Sequence, residues 1–344
     1  MPSPLVPGEG ELQLPQHWTE QPRPEGDADS ANGDDVSSST ASISSSILHY
    51  RSINGRTYHS DRGNNHYWGP NDDRQNEALD IMHHAFLLLH DDKLHLAPLL
   101  DNIQKVIDIG TGTGIWAIDF GDTYPNAEVI GTDLSPIQPG WVPPNVRFQI
   151  DDFRQTWLFE ENSIDYVHMR WLIGCVEDWT ALFREIFRVL KPGGWIETSE
   201  ANGFYESDDG TLSEKSAMAQ WGYLFREGAK KMGSKASYSV VRDKIQRKSL
   251  EEAGFVNIQE KMFKMPCGEW PEDPKQAEIG TFVKAGLEND IEGMISYSAS
   301  KLGWTPSEVI VYAAHVHKEL RDKSLHSFCR INVAWAQKPI VADE

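Results

Sequence analysis

The sequence predicts a doubly wound α/β fold built around a mostly parallel sheet, and three neighbouring features predict it. Residues 106–109 form a short, β-branched apolar run that is typical of a buried parallel strand. The turn Gly110-Thr-Gly-Thr-Gly114 follows, and an apolar segment with helical spacing comes next. A second strand-like run, 128–132, ends at Asp133, nineteen residues past Gly114. Together these features predict a nucleotide-binding unit whose second strand offers a carboxylate to ribose hydroxyls.

The spacing of the glycines indicates which kind of nucleotide this turn would bind. A dinucleotide fingerprint, G-x-G-x-x-G, has its third small residue at position six, but that position is Ile115 and the third glycine is Gly114. Asp108 lies two residues before the first glycine, and this G-x-G-x-G pattern suits a ligand without phosphates. S-adenosylmethionine is such a ligand, since a sulfonium joins its adenosine to a zwitterionic amino acid. The glycine run alone is equally compatible with an ordinary tight turn.

Further elements follow at the spacing of this fold. Strand-like apolar runs are found at 146–150, 164–170 and 195–200. The first of these runs is followed by Asp151, Asp152 and Phe153. An amphipathic helix is predicted between the other two, over 182–190, and the turn Lys191-Pro-Gly-Gly194 is predicted to end it. This turn and Ile115 argue against a nicotinamide oxidoreductase.

The pattern beyond Ala201 predicts a mixed helical and strand region that completes the sheet. Helices are predicted over 212–232, 240–253, 290–302 and 306–322. Gly254 is predicted to end the second of them, because glycine is favoured just after a helix. Strands are predicted over 255–266 and 324–336.

The ordered set of motifs over residues 105–201 resembles class I S-adenosylmethionine-dependent methyltransferases. Upstream motifs are similar to the N-terminal signature of the fungal LaeA-like methyltransferases: Tyr67, Pro70-Asn-Asp72, Leu79-Asp80 and His83-His84. The resemblance implies a Rossmann-like sheet of seven strands with an antiparallel last strand, and helical lid insertions at about 203–250 and 267–323. In that family an arginine usually precedes the Leu-Asp pair, and here the position is Ala78. Either Arg74 substitutes for that arginine, or the lid is looser.

The same resemblance implies S-adenosylmethionine as the cofactor and assigns residues to it. The glycine turn would contact the methionine part, Asp133 the ribose, and Asp152 with Phe153 the adenine. The complete set of expected cofactor-binding residues is Asp108, Gly110, Thr111, Gly112, Gly114, Asp133, Leu134, Asp152 and Phe153. Two alternatives stay open, since Asp151 suits the adenine as well as Asp152 does, and Asp108 suits a supporting role behind the glycine turn.

Candidate catalytic residues lie at the carboxyl ends of the fourth and fifth strands: His168, Arg170 and Glu200. Methyl transfer from a sulfonium is an in-line displacement, so alignment and exclusion of water supply much of the rate. A base is needed only when the acceptor loses a proton. His168 suits that role, or else a hydrogen bond inside the sheet. Arg170 suits either an acceptor carboxylate or a structural pair with Glu200.

The histidine pair His83-His84 raises the question of a metal site. Neighbouring residues on a helix point about 100° apart, so the two rings cannot share one face. Packing or capping roles are favoured, and no metal is expected.

Composition restricts the setting in which the protein acts. The 344 residues carry a net charge of −20, which disfavours direct binding of nucleic acid. Three widely spaced cysteines, with no C-x-x-C pair, favour a reducing compartment and no structural zinc. Neither a membrane span nor a signal-peptide pattern is visible, so we expect the cytoplasm or the nucleus.

The chain is expected to divide into three parts. Residues 1–46 are rich in proline, serine and acidic residues and are predicted to be a disordered tail. Residues 47–104 are predicted to be a helical N-terminal segment, and 105–344 a methyltransferase domain with the two lid insertions.

Two kinds of function are consistent with these features. The first is a working methyltransferase in, or regulating, fungal secondary metabolism, with a small molecule or a protein as acceptor. The second is a weakly active or inactive regulatory subunit that keeps the fold and acts through protein partners. The presence of Asp108, the glycine turn and Asp133 favours cofactor binding, but these residues do not identify an acceptor.

Overall fold

The computed structural model describes residues 10–20, 50–60 and 67–340. Its strands are β1 (Arg51–Ile53), β2 (Arg56–Tyr58), β3 (Lys105–Ile109), β4 (Glu128–Asp133), β5 (Val146–Ile150), β6 (Ile164–Arg170), β7 (Leu190–Ala201), β8 (Val256–Pro266) and β9 (Phe328–Gln337). Its helices are α1 (Pro15–Thr19), α2 (Asp73–Leu89), α3 (Ile115–Thr123), α4 (Trp179–Val189), α5 (Ala217–Lys231), α6 (Ile245–Ala253), α7 (Pro274–Lys301) and α8 (Pro306–Arg321). Within these residues, no helix has both the length and the apolar character that a membrane crossing requires.

The strands β3 to β9 form one sheet in the order β5-β4-β3-β6-β7-β9-β8. The first five strands in this order, β5, β4, β3, β6 and β7, run parallel to one another. The strand β9 lies between β7 and β8 and is antiparallel to both. This arrangement confirms the predicted doubly wound sheet of seven strands with an antiparallel last strand. The chain moves outwards from β3 to β5 and then returns to β6 on the other side. A crevice therefore opens at the carboxyl ends of β3 and β6, where such sheets bind ligands.

Two apolar layers enclose the sheet and set its register. Val106 packs with Trp116 and Phe120 of α3 on one face, whereas Ile107 packs with the Phe183 side of α4 on the other. Successive side chains of a strand point to opposite faces, so a one-residue slip of β3 would move the residues of each layer to the wrong face of the sheet. The register of β3 fixes where the glycine turn begins.

The helix ends before Lys191 as predicted, but residues 191–194 form an irregular part of β7 and not a separate turn. The helix α4 ends at Val189, and Leu190 already pairs with Ile164 of β6. Proline and glycine produce a local irregularity in the ladder instead of a separate turn. The helix also begins earlier than predicted, because the Asp178 side chain accepts the Ala181 N–H at 2.9 Å and caps it.

The insertion between β8 and β9 contains a longer helix than predicted. The helix α7 has 28 residues and begins at Pro274, with the Asp273 side chain accepting the Gln276 N–H at 2.9 Å. The proline starts this helix because the first helical position needs no N–H donor. A kink at Asp290, where φ is −145°, marks the point at which the prediction began the helix. In contrast, α5 and α6 each begin five residues later than predicted.

A buried cluster of charges holds α2 and α7 over the crevice. The Arg56 guanidinium binds Asp72, which caps α2, at 2.6 Å, and it also binds Asp290 at the kink of α7. The ion pair with Arg56 lowers the pKa of Asp72, whereas burial raises the pKa of Asp290. Arg74 also connects the two helices, since it donates to the Asn289 carbonyl and to Glu292. Arg74 thus lies in a position that suits the role suggested from the sequence, as a substitute for the family arginine that is replaced by Ala78.

Part of the predicted tail is packed against the domain. Trp18 in α1 is 1% exposed and meets Tyr312 of α8 edge-on, with ring centroids 5.1 Å apart. The Gly10 N–H donates to the Tyr223 hydroxyl at 3.0 Å. Composition averaged over residues 1–46 obscured this contact, because burying a single large aromatic ring can offset the ordering of a short segment. The remainder of the predicted tail, at 1–9 and 21–46, lies outside the described residues.

Candidate functional site

A large cleft opens at the carboxyl ends of β3, β4, β5 and β6. It encloses about 1150 Å³ of space including its mouth, a size that suits a nucleoside together with a second molecule. Its floor includes Gly110 and Gly112, and its roof comes from α2 and α7. An adjoining cavity of about 500 Å³ continues behind the glycine turn, between Asp108, His83 and Arg170.

The glycine turn presents backbone to both spaces. Gly110, Gly112 and Gly114 all have positive φ, at 65°, 59° and 83°. Only glycine adopts this conformation without strain, and the absence of a Cβ leaves the main chain open to a ligand. Gly114 differs from the other two, because it begins α3 beside the Phe148 ring and does not line the cleft.

Asp133 at the end of β4 points at the glycine turn, as its proposed role requires. Its Oδ2 accepts the Gly112 N–H at 2.8 Å, and its Oδ1 accepts the Ser135 N–H at 3.0 Å. Burial raises the pKa of Asp133 to about 6. The carboxylate and the neighbouring Leu134 both line the cleft. Each carboxylate oxygen keeps a second acceptor site, so Asp133 can still accept hydroxyl groups.

The structure places Asp151, and not Asp152, on the wall of the cleft. Asp151 lines it together with Phe153. Asp152 instead forms an ion pair with Arg154 at 2.7 Å, which lowers the pKa of Asp152. The expectation for Asp152 is corrected in favour of the alternative, because the local turn directs the second carboxylate towards the nearest guanidinium.

Asp108 takes the supporting role. It is 3% exposed and accepts the Thr111 hydroxyl at 2.6 Å, so it braces the glycine turn from behind. Its other oxygen lies 2.7 Å from His168 Nδ1. A carboxylate only accepts hydrogen bonds, so His168 Nδ1 carries the proton of this bond. Burial lowers the pKa of His168.

His168 is held rigidly and lies away from the cleft. Its ring stacks on Trp116 with centroids 3.7 Å apart and planes at 5°. It lines the adjoining cavity and not the main cleft. This position favours the second alternative for His168, a hydrogen bond inside the sheet, over the role of a base in contact with an acceptor.

Arg170 and Glu200 do not pair with each other. The Arg170 guanidinium donates to His83 Nδ1 at 3.0 Å and lies over the Phe86 ring, 4.7 Å from its centroid. Glu200 is fully buried and accepts the Leu172 N–H at 3.1 Å, and burial raises the pKa of Glu200 to about 8. Glu200 therefore positions the segment after β6, whereas Arg170 lines the cleft.

His83 and His84 occupy different environments, as their helical spacing predicts. His83 contacts Asp119 at 2.9 Å, while the His84 ring packs edge-on against Phe282. Both roles are packing or hydrogen-bonding roles.

Several cleft residues were not assigned a role from the sequence. They come from the N-terminal segment, from α2, from the segment after β6 and from α7: Tyr67, Trp68, Asn71, Gln75, Met82, Cys175, Leu287 and Met294. Trp171 has a φ of 60°, an unusual conformation for a bulky residue and one that is often found at functional sites. For the residues of the N-terminal segment, the motif that contains Tyr67 was the only indication in the sequence. No local pattern connects α7 with a turn that lies more than 160 residues earlier.

The strand order and the cleft define the class of protein. A sheet with this order, a glycine turn after its first strand and an acid after its second is that of class I S-adenosylmethionine-dependent methyltransferases. A family model described as a methyltransferase domain matches residues 81–260.

Sequence relatives identify the family within this class. "Methyltransferase pytC" of Aspergillus terreus is 39% identical over 310 residues, which are 89% of this chain and 93% of that protein. "Secondary metabolism regulator LAE1" of Cochliobolus heterostrophus is 35% identical, covering 83% and 94%. "Secondary metabolism regulator laeA" of Aspergillus fumigatus is 34% identical, covering 90% and 82%. The chain belongs to the LaeA-like family of fungal methyltransferases, and it is an S-adenosylmethionine-dependent methyltransferase.

The residues of the cleft fit this cofactor. Main chain at Gly110 and Gly112 is open to a ligand, and a carboxylate stands beside it at Asp133. Among the described residues that line the cleft, Arg170 is the only lysine or arginine. A single cation suits a ligand with one carboxylate better than one with a pyrophosphate.

Proposed function

We propose that the protein transfers a methyl group from S-adenosylmethionine to an acceptor that binds in the apolar part of the cleft. The observation that carries this proposal is the contact between Asp133 and the Gly112 N–H on the cleft wall. Asp133 would hold the ribose, Phe153 and Asp151 the adenine, and the main chain of the glycine turn the methionine part. When bound, the cofactor would supply a methyl group on a sulfonium, and the neutral thioether S-adenosylhomocysteine would be a very good leaving group.

The acceptor side of the cleft is mainly apolar. Trp68, Met82, Leu287 and Met294 line it, and the last two come from α7. These side chains exclude water and would align an apolar acceptor or an apolar side chain of a protein. Two relatives are named regulators of secondary metabolism. By analogy, we propose that this protein acts in, or regulates, fungal secondary metabolism.

The ionisation of the cleft residues supports transfer without a dedicated base. Burial raises the pKa of Tyr67 and of Cys175 far above neutrality, so neither group is deprotonated. His168 lies behind the glycine turn and not in the cleft. Carbon, thioether and neutral amine acceptors need no base before attack, and they suit this site best.

Calorimetric titration tests the cofactor site. The wild-type protein should bind S-adenosylhomocysteine, the demethylated cofactor, and should not bind NAD. Gly112→Asp should abolish binding, because the new side chain would be strained at positive φ and would put a charge beside Leu79 in the cleft. Gly140→Asp is a matched control, since nothing lies within 4 Å of a Cβ at that exposed position. Wild-type protein that binds NAD and not S-adenosylhomocysteine would refute the proposal.

The second candidate is a regulatory subunit that acts through protein partners. For acceptors that must lose a proton, the placement of His168 outside the cleft favours this candidate, because no histidine is found among the described residues that line the cleft. Replacing the chromosomal gene with the Gly112→Asp allele separates the two functions. Metabolites that change as they do in a deletion strain support the enzyme, whereas wild-type metabolites support docking alone.

We also propose a reducing compartment, cytoplasm or nucleus, as the place of action. Cys175, Cys267 and Cys329 are all unpaired in the structure, and burial raises the pKa of each thiol. Imaging of a fluorescent fusion protein tests this assignment.

A further inference from the structure

Arg170 is the point at which three spaces in the protein meet. Its side chain lines the cleft, the adjoining cavity behind the glycine turn, and a third cavity of about 260 Å³ near Lys93. The guanidinium is held over the Phe86 ring, 4.7 Å from its centroid. The end of β6 thus delivers a positive charge to the glycine turn from the side opposite Asp133.

The hydrogen bond to His83 does not neutralise this charge. A guanidinium only donates, so His83 Nδ1 accepts from Arg170 at 3.0 Å. His83 Nε2 then carries the proton and donates to Asp119 at 2.9 Å. Burial and the nearby guanidinium lower the pKa of His83, which keeps the ring neutral. This chain of contacts fixes the orientation of Arg170 and ends at Asp119, but Asp119 and Asp108 act on the guanidinium only from a distance, because neither carboxylate contacts it.

No carboxylate within the described part of the chain forms an ion pair with Arg170. Asp108, which borders the same cavity, is engaged by Thr111 and His168. Glu200 is engaged by the Leu172 N–H. A cation in a partly buried site without a counter-ion is costly for the folded protein. Functional sites retain such a group when a ligand supplies the opposite charge.

We propose that Arg170, oriented by His83, binds the carboxylate of the amino-acid end of S-adenosylmethionine. The inference rests on the proposed function, which places the ribose at Asp133. From there, the ligand would continue across Gly110 and Gly112, and both residues also border the adjoining cavity that contains Arg170. The planar fork of a guanidinium matches the two oxygens of a carboxylate. An acid on the methyl acceptor is the other possible source of the same chemistry.

Two nucleosides distinguish these sources. S-adenosylhomocysteine contains the amino-acid end, whereas 5′-methylthioadenosine contains the same adenosine and sulfur without it. Arg170→Met should weaken the binding of S-adenosylhomocysteine about 10- to 100-fold in calorimetry, as expected for the loss of a charge-assisted contact. Binding of 5′-methylthioadenosine should change less than about twofold, because that ligand has no group at this position.

Matched variants control for general effects of the substitution. Arg147→Met removes an exposed arginine that pairs with Glu128 away from the cleft, and it should leave the binding of both nucleosides unchanged. Arg170→Lys keeps the charge without the fork and should bind S-adenosylhomocysteine with intermediate affinity. If Arg170→Met does not fold, Arg170→Gln is measured in the same way.

Each remaining outcome contradicts the inference. Unchanged affinity for S-adenosylhomocysteine in Arg170→Met overturns it, and a loss of turnover in the same variant would then assign Arg170 to the acceptor. Equal weakening of both nucleosides overturns it as well, since Arg170 would then only maintain the shape of the site. Wild-type protein that binds neither nucleoside refutes the proposed function itself, and that result is distinct from a failure of Arg170 alone.

Discussion

Replacing Asp133 by asparagine changes the charge of the site with almost no change in shape. Both carboxylate oxygens accept backbone N–H groups, from Gly112 and from Ser135. The amide of asparagine has one acceptor oxygen, so one of these donors would lose its partner at a cost of about 1–3 kcal/mol. An opposite effect arises from burial, which raises the pKa of Asp133 from 3.8 to about 6. Ionised Asp133 therefore costs the folded state about 3 kcal/mol above pH 6, and asparagine avoids that cost.

These two effects have a defined dependence on pH. The folded state binds the Asp133 proton more tightly than the unfolded state does. The stability that comes from the protonated form is therefore complete below about pH 3.8 and lost as the pH rises to about 6. At pH 7.5 the two effects offset each other. The free energy of unfolding of Asp133→Asn should therefore lie within about 2 kcal/mol of the wild-type value. The affinity for S-adenosylhomocysteine should still fall about 10- to 100-fold, because charge-assisted bonds to the ribose are lost.

Urea denaturation and calorimetric titration check both expectations. The free energy of unfolding of the wild type, relative to Asp133→Asn, should decrease by about 2 kcal/mol between pH 4 and pH 6.5. A difference that stays constant over this range would refute the assignment of the raised pKa to Asp133. Undiminished binding of S-adenosylhomocysteine by the variant would show that Asp133 does not hold the ribose.

Three further predictions follow from the same structure. Trp18→Ala should lower the free energy of unfolding by about 3–5 kcal/mol in urea denaturation, whereas Leu14→Ala, an exposed position in the same segment, should change it by less than about 0.5 kcal/mol. Asp151→Asn should weaken S-adenosylhomocysteine binding about tenfold in calorimetry, as expected for the loss of one charge-assisted contact. Asp152→Asn should change this affinity less than about threefold. A larger effect of Asp152→Asn than of Asp151→Asn would contradict the role of Asp151 in the cleft. Burial raises the pKa of Glu200 from 4.5 to about 8, so ionisation costs the folded state stability as the pH rises through this window. Glu200→Gln should therefore gain stability relative to the wild type between pH 6 and pH 9 in thermal unfolding, and a constant difference would contradict this.

The strands themselves could be predicted because each one carries its own local pattern, whereas the arrangement of the sheet was implied by the family resemblance. The runs 106–109 and 164–170 both carry apolar residues on the two faces of the strand, as expected for strands that are covered on both sides. Asp133 and the glycine turn are close in sequence, and a parallel unit brings them to one edge of the sheet. These predictions needed no information from the rest of the chain.

Local patterns failed where a distant partner decided the outcome. The local pattern predicted a helix only over 290–302, but α7 packs along α2, and that surface stabilises a longer helix that begins at Pro274. Trp18 lies in a polar segment, and only α8 supplies the surface that buries it. Between two adjacent acids, the position of Arg154 determined that Asp152 forms an ion pair and Asp151 faces the cleft.

The sequence by itself predicted the sheet, the glycine turn and the cofactor class, and it placed Asp133 at the end of the second strand of the nucleotide-binding unit. These features depend on hydrophobic period and on backbone conformation, which neighbouring residues fix. Only the tertiary structure decided what covers the cleft and which groups remain without a partner in it. The roof comes from α7, and the unpaired charge of Arg170 is recognised only when every nearby carboxylate has been located. Burial and charge pairing are properties of the assembled chain, because they depend on residues that are far apart in sequence.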